Sequence, residues 1–110
     1  NDKFEEELPV VKDNVSFALD IQPILNTQCA GCHNPGNNVE PELREGYAYE
    51  SIEDLIDEGD IIPGEAEESE LMEMLEWESE DGNDMPPSTP LSPLKIALIK
   101  KWIDEGALDN

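Results

Sequence analysis

The stretch Asn26–Gly36, NTQCAGCHNPG, holds both cysteines and the single histidine of the 110-residue chain. All three fall in Cys29-Ala30-Gly31-Cys32-His33. A pair of thiols beside an imidazole serves a few chemistries: a disulfide, part of a zinc site, a redox dithiol or a haem attachment site. What surrounds the cluster discriminates among them.

A structural zinc site needs a full set of Cys and His ligands, usually as two such pairs. This chain offers none beyond Cys29, Cys32 and His33. A thioredoxin-like dithiol wants a preceding strand in an α/β pattern, whereas the flanking residues have helical spacing. A Cys29–Cys32 disulfide closes a very short loop and stabilises little. The pattern C-x-x-C-H is that of c-type haem attachment. There the thiols of Cys29 and Cys32 add across the two haem vinyl groups, and His33 becomes the proximal iron ligand. Ala30 and Gly31 are small and leave the porphyrin edge uncrowded.

Outward from the motif the chain reads as helices joined by loops. Val15, Phe17 and Leu19 alternate, which suggests a short extended entry. Asp20 is placed to cap a helix carrying Ile21, Ile24 and Leu25 on one face, with Pro23 in its first turn. That helix should run directly into Cys29. Ser51 and Asp54 fit a capping box ahead of Ile52, Leu55 and Ile56, and Gly59 is the stop. Ile61–Glu68 is a turn. Leu71, Met74 and Leu75 then mark a further helix, with Met72 off its apolar stripe. At the end, Ser92 caps, Pro93 takes the first turn and Gly106 terminates a helix. Its residues Leu94, Ile96, Leu98, Ile99, Trp102 and Ile103 span a sector roughly 200° wide, enough to pack against two surfaces. The expected class is all-α. Residues 1–14 form an acidic tail or linker and residues 15–110 the domain.

An iron held by His33 then needs a sixth ligand, and no second histidine exists. Met72, Met74 and Met85 remain. Met72 and Met74 lie on a helix, where methionine is more often packing than ligand. Met85 sits in NDMPPSTP, stiffened by Pro86, Pro87 and Pro90, whose fixed φ angles hold a loop at low entropy cost. A weak thioether ligand needs that pre-organisation, so Met85 is the distal candidate.

These features resemble the small single-haem class I cytochromes c. The resemblance is carried by Ile21-Gln22-Pro23-Ile24-Leu25 ahead of the C-x-x-C-H, by IIPGEAEESEL at residues 61–71, and by MPP…WIDEGA at residues 85–107. It implies crossing N- and C-terminal helices around one covalent haem c, with His33 proximal and Met85 distal. It also implies that Pro35 orients the His33 ring through its carbonyl, a requirement general to ligating histidines. Tyr47, Tyr49, Trp77 and Arg44 are candidate propionate donors. The plainer reading puts Trp77 in the core and Arg44 on the surface. Asp81–Asp84 offers oxygen ligands but lacks EF-hand spacing, and a solvated turn is the better reading.

Composition narrows partners and place. The chain carries 28 Asp+Glu against 6 Lys+Arg, a net charge of −22. Such a surface repels nucleic acid and anionic membranes. It is compatible with redox partner proteins that present a basic docking surface. No stretch is long and apolar enough to span a bilayer, and the first residues lack a signal-peptide pattern. Covalent haem attachment in the family it resembles happens outside the cytoplasm, so a periplasmic or other extracytoplasmic location is expected, with an upstream lipid anchor or larger parent compatible. The expected function is electron transfer without catalysis. An electron-entry domain of a larger exported oxidoreductase and a haem-based ligand sensor are the alternatives.

Overall fold

The computed structural model describes residues 11–29, 36, 41–77, 85 and 90–110. Among them all regular structure is helical and no strand occurs. A π-helical turn, Phe17–Ile21, leads into α1 (Gln22–Gln28). Then come α2 (Ala48–Glu58), a 3₁₀ turn at Ala66–Glu68, α3 (Glu70–Leu75) and α4 (Pro93–Asp104). The expected all-α class holds for these residues.

The N-terminal helix begins earlier than its sequence suggests. Ser16, not Asp20, is the N-cap. Its hydroxyl accepts from the Leu19 N–H at 3.0 Å. In return the Asp20 carboxylate accepts from the Ser16 N–H at 2.8 Å. The two residues satisfy each other's donors as in a capping box, with the carboxylate one position further along. Val15, Phe17 and Leu19 therefore do not alternate along a strand. The wider turn buries Phe17 and leaves Leu19 at 77% exposure. The Phe17 ring packs edge-on to Tyr49, centroids 5.2 Å apart, and against Trp102 at 5.4 Å. Side-chain packing overrides the period-2 pattern here. Downstream, α1 runs into Cys29 as expected, with the Cys29 N–H bonded to the Leu25 carbonyl at 3.0 Å.

In α2 the helix starts at Ala48, so Ser51 is internal and is not its cap. The stop is as expected: Gly59 adopts φ 87°, a left-handed conformation that lacks steric cost only for glycine. Of the expected face, Ile52 is buried while Leu55 and Ile56 are half-buried. In α3 the roles of two methionines are the reverse of the sequence pattern. Met72 is buried in the core at 2% exposure, and Met74 is half-buried. A helix of six residues has little stripe to define, so its neighbours decide which side faces in.

Helix α4 follows its signals. The Ser92 hydroxyl accepts from the Lys95 N–H, Pro93 opens the helix, and Gly106 lies just beyond its end. It packs on two surfaces, the N-terminal π-turn and the 3₁₀ turn. Ile96, Ile99, Trp102 and Ile103 are buried, but Leu94, in the first turn, is half exposed. The segment before the 3₁₀ turn is tied to the end of α4. Gly64 N–H donates to the Ile103 carbonyl at 2.7 Å, and Ala66 N–H to the Asp104 carboxylate at 2.9 Å. Ser69 is fully buried because its hydroxyl is used twice, accepting from Ile62 N–H and donating to the Glu65 carbonyl.

The two chain ends of the fold are clasped together. Glu105 accepts from the Asn14 and Val15 N–H groups at 3.0 and 2.8 Å. Asn110 accepts from Phe17 N–H at 2.8 Å and donates to the Val15 carbonyl at 3.2 Å. Tyr49 hydroxyl donates to the Ala107 carbonyl at 2.6 Å, and Trp102 Nε1 to the Leu108 carbonyl at 2.8 Å. Lys12 pairs with Asp20, and Lys101 with Asp13. This network holds the N-terminal helix against α4.

Candidate functional site

At the C-terminal end of α1 lies an apolar cavity of about 120 Å³. Leu25 comes from α1 and Cys29 from the residue that caps it, Ile52 and Leu55 from α2, Leu71, Met74 and Leu75 from α3, and Ile99 and Trp102 from α4. Pro41, Leu43, Leu91 and Met85 complete much of the wall. Asp60 is the one charged residue in the lining. All four α-helices thus turn apolar side chains toward one space, and two sulfur-bearing residues expected at the site, Cys29 and Met85, meet there.

The chemistry of this donor set fits a haem. A thiol stands on the wall where the motif begins, a thioether stands on the same wall, and the rest is hydrocarbon. Cys32 and His33 lie outside the described residues, as do Pro35, Pro86, Pro87 and Asp81–Asp84.

Met85 is held by its backbone. Its N–H donates to the Met74 carbonyl at 2.9 Å, and the Trp77 N–H donates to the same carbonyl at 3.2 Å. Trp77 adopts φ 59°, a left-handed conformation that is uncommon outside glycine and ends α3 abruptly. The stretch from Trp77 to Met85 is therefore closed at its neck by one carbonyl oxygen. The sequence pattern does not give this anchor, because a backbone acceptor carries no side-chain signal.

The other candidates separate. Arg44 is exposed, ion-paired with Glu42, and lies 4.9 Å over the Tyr47 ring. That agrees with its plainer surface reading. Trp77 is exposed at 37% and is not a core residue. Its left-handed backbone turns the chain away at the point where the helical pattern would have carried it inward. Tyr49 hydroxyl is committed to the Ala107 carbonyl. Burial raises the Tyr49 pKa, and the Asp109 and Glu53 carboxylates raise it further. Tyr49 instead lines a second, open cleft of about 510 Å³ with Glu45, Glu50, Glu53 and Asp109 around it. A residue whose role the sequence does not reveal is Gln22. It is buried, and its amide donates to the Leu43 carbonyl at 3.2 Å and to Asn26 Oδ1 at 3.0 Å. It fixes α1 to Leu43, a wall of the cavity. Buried glutamine has no period of its own, so only the neighbouring proline and isoleucines draw notice there.

Among the described residues no group of carboxylates, histidines and cysteines is arranged to hold a metal ion. None of their helices is long and apolar enough to cross a membrane. The family model for planctomycete cytochrome c matches residues 29–89, from the first motif cysteine past Met85. No curated protein and no solved structure matches the chain.

Proposed function

The chain belongs to the planctomycete cytochrome c family, and from that premise we propose that it is a single-haem electron carrier of the class I type. Cys29 and Cys32 hold the cofactor, His33 is the proximal ligand and Met85 the distal one. The observation that carries this reading is the shared cavity: the motif's first cysteine and the proline-flanked methionine line one apolar space.

Haem c, when bound, supplies reversible one-electron chemistry at its iron. The protein's own residues do the rest. Cys29 and Cys32 would hold the haem covalently, each thiol adding its S–H across one vinyl group in a step that needs no external oxidant or reductant. Leu25, Ile52, Leu71, Leu75 and Ile99 exclude water, which lowers the local dielectric and reduces how far the surroundings must rearrange when charge changes. Met85 offers a neutral, weakly basic sulfur on a backbone already held in place by the Met74 carbonyl. With His33 and Met85 both holding the iron, no position would be left open for a substrate, which would favour outer-sphere electron transfer.

The acidic surface suits a redox partner with a basic face, and the open cleft flanked by Glu45, Glu50, Glu53 and Asp109 adds to that field. The location proposed is extracytoplasmic, where covalent haem attachment of this type takes place.

Two measurements test the reading. Ferric protein should bind cyanide slowly, with a lag for displacement of methionine; fast stoichiometric binding would overturn six-coordination. In the reduced protein, NMR should show one methionine methyl shifted far upfield by the porphyrin ring current. That resonance should persist in Met74→Leu and vanish from its position in Met85→Leu.

A further inference from the structure

Two methionines, not one, line the cavity. Met74 is half-buried, on the last turn of α3, and faces the same space as Met85 and Cys29. Met72, the third, is buried in the core and does not line it. Met74 and Met85 are also tied together: the N–H of one donates to the carbonyl of the other at 2.9 Å. Their Cα atoms are thereby held close, and both thioethers open from neighbouring backbone onto one apolar surface.

We propose that Met74 is a reserve axial ligand, a second thioether that takes the sixth iron position when Met85 leaves it. This rests on the His33/Met85 reading above. The physical case has three parts. Methionine is unbranched, with three rotatable side-chain torsions, so its sulfur sweeps a wide arc from a fixed backbone. Both residues present the same ligand type, so the exchange conserves charge and needs no proton. Finally, the shared carbonyl anchor means that release of the Met85 side chain does not require the neck of the loop to open. Packing alone explains a hydrophobe at position 74; a leucine would serve it equally, since leucine and methionine exchange with little change of volume. The sulfur is what the reserve role adds.

Leucine substitutions separate the two roles, because they keep the packing and delete the sulfur. The haem-loaded Met85→Leu protein, when reduced, should show a new upfield thioether methyl, at a shift different from wild type. The Met85→Leu/Met74→Leu protein should show none. In the ferric state, occupation of the sixth position by Met74 about nine-tenths of the time raises the apparent imidazole Kd of Met85→Leu about tenfold over the double variant. If Met85→Leu shows no such methyl and binds imidazole as tightly as the double variant, the reserve role is wrong and the Met85 assignment stands. If Met74→Leu alone removes the wild-type resonance, Met74 is the primary ligand and both readings fall.

Discussion

The two ends of this molecule are built on different principles. At the clasp, side chains satisfy backbone groups: Glu105 and Asn110 reach across nearly the whole sequence to Asn14, Val15 and Phe17, Tyr49 reaches the Ala107 carbonyl, and Trp102 locally ties down the Leu108 carbonyl. At the cavity, four helices converge with apolar side chains, and among the described residues the polar tie on Met85 is a backbone bond to Met74. The clasp specifies geometry by hydrogen bonds that only one arrangement satisfies. The cavity supplies apolar surface and sulfur. The clasp fixes where the N-terminal helix lies against α4, and that helix leads directly to Cys29 on the cavity wall; the contrast predicts that this placement does not depend on the cofactor.

The largest effect that tests this contrast is Trp102→Ala. Trp102 is 1% exposed, stacks near Phe17 and also reaches the cavity wall. Truncating such a residue costs about 3–5 kcal/mol, and Leu108 loses its donor. Urea unfolding should show this loss in the haem-free Cys29→Ser/Cys32→Ser background as well as in the loaded protein. If the haem-free chain is already unfolded, the clasp does not precede the cofactor. Next is Glu105→Ala, which leaves two amides without their charged acceptor and should cost about 1.5 kcal/mol, again in both backgrounds. Met74→Leu, on the other side, should move the midpoint by less than about 1.5 kcal/mol.

Salt provides a smaller and opposite test. The described ion pairs of Lys12, Lys100 and Lys101 gather around the clasp, while residues 40–81 hold 18 acidic side chains and one base, Arg44. Added salt weakens both attraction and repulsion. With a net charge of −22 the repulsion outweighs, so melting temperature should rise with sodium chloride. A flat or falling curve would mean that the clasp pairs dominate.

The smallest effect concerns pH. Burial raises the pKa of Asp20, but the hydrogen bond from Lys12 and the Ser16 amide outweigh it, and the folded value lies below the ordinary 3.8. A carboxyl whose pKa is depressed on folding stabilises above its unfolded pKa, and the contribution fades as pH falls through the folded one. Wild type should therefore exceed Asp20→Asn in stability near neutral pH, and the two should converge in acid below 3.8. A difference that persists in strong acid would mean that Asp20 acts without its charge.

Much of the helical framework is legible in the sequence, and the reason is local. Ser92, Pro93 and Gly59 act through their own backbone or the next turn, so their signals survive in sequence. The path of α1 into Cys29 follows from an apolar spacing of the same short range. What was illegible depends on partners distant in the chain. The π-turn at Phe17 is set by Tyr49 and Trp102, and the inward turn of Met72 by the neighbours of a six-residue helix. Position 77 is a third case: a tryptophan carries an apolar signal, yet its left-handed backbone leaves it exposed.

The double acceptance by the Met74 carbonyl bears on how such a protein can vary. Trp77 and Met85 are both fastened to that one atom, so the seven residues between them, 78–84, connect two points already fixed. Lengthening a connection of that kind costs only about 0.6 kcal/mol per doubling. Insertions there should leave the sulfur of Met85 where it is. The segment is where a protein engineer should be able to graft charge, a tag or an epitope while Met85 keeps its place on the cavity wall.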